Sequence, residues 1–177
     1  MPNDDPLLDA ALALLAAEGE TALTVRRLAG AVGASTKVIY SRHGSMSGVR
    51  RALHARGFAQ LYARMATAMA GEVGEGRLRA AADAYRAFAN EAPTLFSLMY
   101  GDAADREAAA PTLDLLATAF EGEAGGEDPH AAARFFWTQL HGITALEASG
   151  WLDENEARAH LARLLGGRRA TRLAPAT

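Results

Sequence analysis

The chain is predicted to be all-α: an N-terminal three-helix bundle containing a helix-turn-helix, followed by a C-terminal helical bundle, about nine helices in total. Three observations carry this. Apolar residues recur every three to four positions along most of the chain, and no stretch alternates as a strand would. Alanine is abundant and proline scarce, at six residues, a composition that favours helix. Helix-opening and helix-closing residues punctuate the chain at helix-length intervals.

The first helix opens at Asp5-Pro6, a cap followed by proline in the first turn. Leu8, Ala11, Leu12 and Leu15 fall at helical spacing, and Gly19 stops the run. Thr24 caps a short second helix in which Val25, Leu28, Ala29 and Val32 face inward. Gly33 ends it. Ser35 caps a third, from Thr36 to about Arg42, with Ile39 toward the core. His43-Gly44-Ser45 breaks the chain. A long fourth helix then starts at Ser45 or Ser47 and reaches about Ala70. Its stripe is Val49, Leu53, Phe58, Leu61, Tyr62, Met65 and Met69. Gly71 to Gly76 is a linker. The fifth helix runs from about Arg77 to Asn90, and Pro93 opens a sixth that ends near Gly101. A seventh spans Thr112 to Phe120, followed by a Gly/Glu-rich loop over 121–127. Asp128-Pro129 opens the eighth, which Gly150 ends. Asp153 with Glu156 forms a capping box for the ninth, which Gly166 ends. The tail after Arg168 is expected to fray. Domain spans of 1–46 and 47–177 follow from the position of the helix-turn-helix.

Composition narrows the class. Half of the residues are apolar and 22% charged, an ordinary globular mixture. There is no cysteine, which excludes disulfides and thiolate metal sites. No apolar run approaches the roughly 20 residues of a membrane span. The acidic opening, Asn3-Asp4-Asp5, does not read as the basic start of a signal peptide. The expectation is a cytoplasmic protein with no membrane partner.

Charge is distributed in blocks. Residues 1–20 hold five acids and no Lys or Arg, whereas residues 21–71 hold eight cations and no acid. Residues 72–130 carry −8 and residues 131–177 carry +2. The acid-free block suits a polyanion such as nucleic acid. The competing reading is a basic face that pairs with acids of the same chain.

Thr24 to Val49 decides between them. Gly33 supplies the left-handed conformation of a tight inter-helix turn, and Ser35 stands where a cap would satisfy free amides. Leu28, Ala29, Val32, Ala34 and Ile39 hold the two helices at a fixed angle, as in a helix-turn-helix. The second helix of such a unit enters the major groove. Here it exposes Thr36, Lys37, Val38, Tyr40, Ser41 and Arg42, which suit base edges near its start and phosphates near its end.

These residues resemble the DNA-binding domain of the tetracycline-repressor (TetR) family of transcriptional regulators. The resemblance rests on the Ala11–Leu15 stripe, Glu18-Gly19, Leu23-Thr24-Val25, Leu28-Ala29, Val32-Gly33-Ala34-Ser35, Ile39-Tyr40 and Ser45. Downstream, Ala84-Tyr85-Arg86-Ala87-Phe88 and Pro93 to Gly101 resemble a C-terminal subfamily with a Trp-x-x-x-His-Gly signature, supplied here by Trp137, His141 and Gly142. The resemblance covers residues 6 to 165. It implies an all-α homodimer that binds a double-stranded DNA operator and is released from it by a small-molecule effector. Three features depart from the pattern. Arg42-His43 stands where His-Phe is common, Met46 where Lys is common, and an acidic segment where relatives often have a basic arm. No minor-groove arm is expected.

In that context Tyr40 and Arg42 are expected at phosphates, and Lys37 and Thr36 at base edges, with Ser35 and Ser41 flanking them. Thr24 and Arg26 sit at the start of the second helix, where the helix dipole favours a phosphate. The candidate effector site is Phe58, Tyr62, Met65, Tyr85, Phe88, Phe96, Met99, Phe120, Trp137 and His141, implying a largely apolar ligand. Each of these also suits plain core packing, and His141 suits either a ligand contact or a bond to a neighbouring helix. The candidate dimer surface is Phe136, Leu140, Ile143, Leu146, Leu161 and Leu164 on the last two helices, in a four-helix arrangement. No catalytic or metal site and no cofactor is expected: the five histidines are scattered, and no Gly-x-Ser-x-Gly or His-x-x-x-His occurs. The alternative is a helical small-molecule-binding or adaptor module with a degenerate DNA-binding head.

Overall fold

The computed structural model describes residues 5–101, 106–121 and 128–172, with side chains as far as residue 166. Among the described residues there are nine α-helices, one short 3-10 turn and no strand. They are α1 (Pro6–Glu18), the turn Glu20–Ala22, α2 (Val25–Ala31), α3 (Thr36–His43), α4 (Met46–Met69) and α5 (Glu75–Glu91). α6 (Pro93–Met99), α7 (Arg106–Ala117), α8 (Pro129–Ala148) and α9 (Glu154–Arg172) follow.

Local chemistry sets most of these boundaries. The Asp5 carboxylate accepts from the Leu7 amide at 3.0 Å, and Thr24 Oγ1 accepts from the Arg27 amide at 3.4 Å. Ser45 Oγ accepts from the Gly48 amide at 3.1 Å and so opens α4. Asp128 accepts from the His130 amide. Asp153 and Glu156 form the reciprocal capping box, each carboxylate accepting from the other's amide at 2.9 Å. A side-chain cap of this kind contributes about 1 kcal/mol.

One cap and two boundaries differ from the sequence reading. Ser35 has the extended backbone of an N-cap, but its hydroxyl makes no cap hydrogen bond. α7 begins at Arg106, not Thr112, and carries Pro111 inside it. Ala109, Thr112 and Leu116 are buried at helical spacing, so packing of that face outweighs the backbone bond that proline removes. α9 runs through Gly166 to Arg172. Gly166 has no left-handed φ, and an interior glycine in a helix costs only about 1 kcal/mol relative to alanine. The expected loop over 121–127 lies, from residue 122, outside the described residues, as does the tail after 172.

The chain forms two compact units. The first is Met1–Gln60 with Ala92–Ala109, and the second is Leu61–Glu91 with Ala110–Thr177. The first takes in the described part of the 1–46 span and adds the first part of α4, α6 and the start of α7. In it, α1 packs on α2 and α6, and α2 packs on α3. Leu7, Leu8, Ala11, Leu15, Leu28, Ile39, Val49 and Leu53 are buried there. It also holds an aromatic cluster: Phe58 meets Tyr100 edge-on at 5.7 Å, Phe96 lies 5.0 Å from Tyr100, and the buried His54 ring lies 5.8 Å from Phe58. In the second unit α5, α8 and α9 pack on one another. Leu78, Ala81, Tyr85, Phe88, Phe136, Leu140, Ala157 and Leu161 form its centre.

Candidate nucleic-acid interface

The turn between α2 and α3 is made by Gly33, whose φ of +62° is the left-handed region that an L side chain rarely adopts. The Gly33 amide donates to the Gly30 carbonyl and the Ala34 amide to the Ala29 carbonyl, at 3.2 and 3.0 Å, so the turn's amides are satisfied. Leu28, Ala29 and Ile39 are buried, while Val25, Val32 and Ala34 are half-buried. With Ile39 anchored, the opposite side of α3 is solvent-facing: Ser35, Thr36, Lys37, Tyr40, Ser41 and Arg42 are all exposed, Tyr40 at 54%. Ser41 Oγ donates to the Val38 carbonyl at 3.0 Å, which leaves its oxygen as an acceptor only. Thr24 and Arg26 are exposed at the start of α2.

Intrachain pairing accounts for five of the eight cations in the acid-free block. Arg27 pairs with Glu18, Arg42 with Asp5, Arg50 with Glu20 and Arg56 with Asp9, all within the first unit. Arg64, in the second unit, pairs with Glu91. The five cations are therefore partly neutralised by acids of the same chain. Arg26, Lys37 and Arg51 make no ion pair among the described residues. Arg26 and Lys37 stand on the helix-turn-helix itself.

Asp5, His43 and Gly48 meet the exit of α3 in roles the sequence reading does not assign. His43 Nε2 lies 3.1 Å from Asp5 Oδ2, and Arg42 Nη1 lies 3.2 Å from Asp5 Oδ1. Burial works to raise the Asp5 carboxyl's pKa, but the Leu7 amide and the charges of His43 and Arg42 outweigh it and hold it below the usual aspartate value. Gly48 is the third. A Cβ there would stand 1.8 Å from the His43 carbonyl oxygen, so the first turn of α4 meets the end of α3 at backbone contact. Glycine inside a helix was the available signal for such an approach.

The candidate effector residues do not all come together. Phe58, Phe96 and Met99 are buried in the first unit, Met99 against Gly57. Met65, Tyr85, Phe88 and Phe120 are buried in the second. Tyr62 is 40% exposed, so it belongs to no core stripe, because its position on α4 turns it outward beside the buried Leu61. Tyr85 Oη and His141 Nδ1 are 2.9 Å apart. Burial lowers the His141 pKa, which favours a neutral imidazole. Thr144, one turn beyond His141, is buried with no hydrogen-bond partner for its hydroxyl among the described residues. A cleft of about 210 Å³ between α5 and α9 is lined by Ala82, Asp83, Arg86, Arg158, Leu161 and Leu165, none of them a candidate effector residue.

The dimer expectation needs correcting on three residues. Phe136, Leu140 and Leu161 are packed inside the chain's own second unit and have no surface left for a partner. Ile143 and Leu164 are half-buried and Leu146 is exposed. The other large apolar side chains exposed on α8 and just after it are Phe135 and Trp151, at 63% and 80%. A Cβ at Gly142 would meet nothing within 4 Å. Among the described residues no three His, Asp or Glu side chains group as a metal site requires, and no helix is long and apolar enough to cross a membrane.

Comparison with known proteins agrees with this geometry. Residues 7–61 match the family described as bacterial regulatory proteins, tetR family, and residues 78–166 match the tetracyclin repressor-like C-terminal domain. A helix-turn-helix-type transcriptional regulator of Mycobacterium tuberculosis, Rv0681, itself uncharacterised, is 30% identical over 160 residues, which cover 85% of this chain and 72% of that protein. A Rhodococcus sp. RHA1 protein of unknown function superposes with a TM-score of 0.77 at 27% identity, covering 94% of this chain and 98% of the other. The TetR-family regulator PfmR of Thermus thermophilus superposes with a TM-score of 0.66 at 21% identity, covering 92% and 98%, which speaks to the fold. With both family descriptions matched and the α2–α3 turn and exposed α3 face in place, this chain belongs to the tetR family of bacterial regulatory proteins.

Proposed function

We propose that the chain is a cytoplasmic, non-enzymatic transcriptional repressor that binds operator DNA as a homodimer and leaves it when a small effector binds. The single observation that carries the DNA reading is α3: one face anchored by Ile39, the other presenting Thr36, Lys37, Tyr40, Ser41 and Arg42 without an intervening carboxylate. Lys37 and Thr36, at the helix start, meet base edges. Tyr40, Ser41 and Arg42 meet phosphates, and Ser35, Thr24 and Arg26 hold the backbone of the same groove. Two copies place their α3 helices about 34–36 Å apart, one turn of duplex.

Dimerisation uses the outer face of α8, the turn after it and α9. Phe135, Ile143, Leu146, Trp151 and Leu164 supply the apolar contact, and Gly142 lets the partner's helix approach closely. The effector site lies in the second unit. The Tyr85–His141 pair is its polar element, Met65, Phe88, Phe120 and Trp137 are its apolar walls, and Trp137-His141-Gly142 is its signature. α4 contributes residues to both units and is one covalent route from effector to DNA. An effector that binds more tightly to the state with misplaced heads shifts the population away from DNA.

Fluorescence anisotropy with duplexes drawn from the DNA upstream of the chain's own gene tests this. A sequence-selective, salt-sensitive complex is expected. Lys37→Ala should lose about 1–3 kcal/mol on the selected duplex and much less on an unrelated one. Absence of a selective complex would leave the chain as a helical ligand-binding module whose head no longer reads DNA.

A further inference from the structure

We propose that Asp5 is an internal stand-in for a DNA phosphate, holding Arg42 at the exit of the recognition helix until a phosphate displaces it. The proposal rests on the reading of Arg42 as a phosphate contact.

The Asp5 carboxylate has three partners. Oδ1 accepts from the Leu7 amide at 3.0 Å and from Arg42 Nη1 at 3.2 Å, and Oδ2 lies 3.1 Å from His43 Nε2. An anion held by a helix N-terminal amide, a guanidinium and an imidazole has the donor set of a bound phosphate oxygen pair. The three partners differ in freedom. The side chains of Asp5 and His43 are 13% and 12% exposed, whereas that of Arg42 is 54% exposed. Arg42 can therefore swing away while Asp5 keeps the Leu7 amide and His43, so release leaves no bare buried charge. Capping α1 does not require the charge, because Asn and Ser cap as well as Asp. Among the described residues, Asp5 is also the only acid whose ion pair reaches α3. The pairs made by Asp9, Glu18 and Glu20 go to Arg56, Arg27 and Arg50, on α4 and α2.

The consequence is a tax on DNA binding. A phosphate gains Arg42 only by breaking an existing pair, and the freed Asp5 takes up a cation from solution. Fewer ions are then released overall than an unpaired arginine would release. An exposed pair of this kind is worth at most about fivefold in an equilibrium constant, once per head.

The test is a double-variant cycle by anisotropy on the wild-type-selected duplex over a salt series. Asp5→Asn keeps the cap and removes the charge, and Asp5→Ser is the second variant in case Asn refolds the pair. Both should bind about two- to tenfold more tightly at low salt. Their plot of log K against log salt should steepen, by up to about 0.9 per head. In an Arg42→Ala background, either change should have no effect. Equal gains with and without Arg42 would mean a general loss of negative charge and would overturn the proposal. So would unchanged affinity and slope in the otherwise wild-type chain. If Arg42→Ala alone binds like wild type, the phosphate role of Arg42 fails, and the proposal fails with it, while selective binding through Lys37 would still stand.

Discussion

Two arginine–carboxylate arrangements in this molecule use the same chemistry for opposite ends. In the first unit, Arg42 rests on Asp5 with half its side chain in water. In the second, Arg86 and Glu147 join α5 to α8 through two hydrogen bonds, 2.9 and 2.5 Å, with each side chain only 11% exposed. The Glu147 hydrogen bonds raise the Arg86 pKa further against the cost of burial, so this pair stays charged. Water screens the exposed pair and lets it exchange partners. The half-buried pair has little water to replace a lost partner, so separating it strands a charge. The first arrangement is suited to competition with an incoming anion, the second to fixing how two helices meet.

The largest expected effect breaks the buried side of that contrast. Arg86→Ala should cost about 1–3 kcal/mol in denaturant unfolding, because it leaves the half-buried Glu147 carboxylate without its guanidinium partner. Replacing both partners, Arg86→Met with Glu147→Leu, should recover most of that loss. If the single change is as mild as Asp5→Asn, the two pairs are not different in kind.

A second experiment asks what holds the exit of α3 if its ion pairs are weak. Backbone contact at Gly48 is the answer the geometry supports. Gly48→Ala should destabilise the first unit by about 1–3 kcal/mol through overpacking. It should also weaken DNA binding more than loss of the Asp5 charge changes it, as measured by thermal melting beside anisotropy.

The smallest effect separates the units by pH. His141 has a lowered pKa in the folded chain, so the unfolded chain binds the extra proton first. Its stabilising contribution is present above the ordinary histidine pKa of 6.5 and is lost as pH falls from there toward the folded value. Asp5, also lowered, contributes above its ordinary value of 3.8 and loses that only in stronger acid. Between pH 7.5 and 5.5 the melting temperature should therefore drop in wild type by an increment that His141→Asn lacks and Asp5→Asn retains. An identical drop in all three chains would remove His141 from the account.

Much of the fold was legible because much of it is local. Asp5-Pro6, Thr24, Asp128-Pro129 and the Asp153–Glu156 box each act on amides two or three residues away, and each opens a helix where expected. The Gly33 turn and the inward Ile39 were legible for the same reason. Pro111 and Gly166 misled because each is only a local penalty, and packing or helix continuity exceeds it. The candidate site was less legible. The sequence marks Arg42 as a phosphate contact but does not identify its carboxylate partner, which lies 37 residues earlier in the chain. Phe136, Leu140 and Leu161 read as a partner surface because apolar residues on an amphipathic helix mark a buried face without saying what buries it.

Sequence alone determined where most helices begin, that a tight turn joins α2 to α3, and that acids and cations are sorted into blocks. Those follow from interactions within a turn or two of backbone. Tertiary structure decided which cations those acids neutralise, leaving Arg26 and Lys37 open while Asp5 holds Arg42 and His43. It also decided which apolar faces of α8 and α9 are already buried inside the chain. Coulomb attraction and burial depend on distance in space, and residues far apart in the chain become neighbours only when the helices pack.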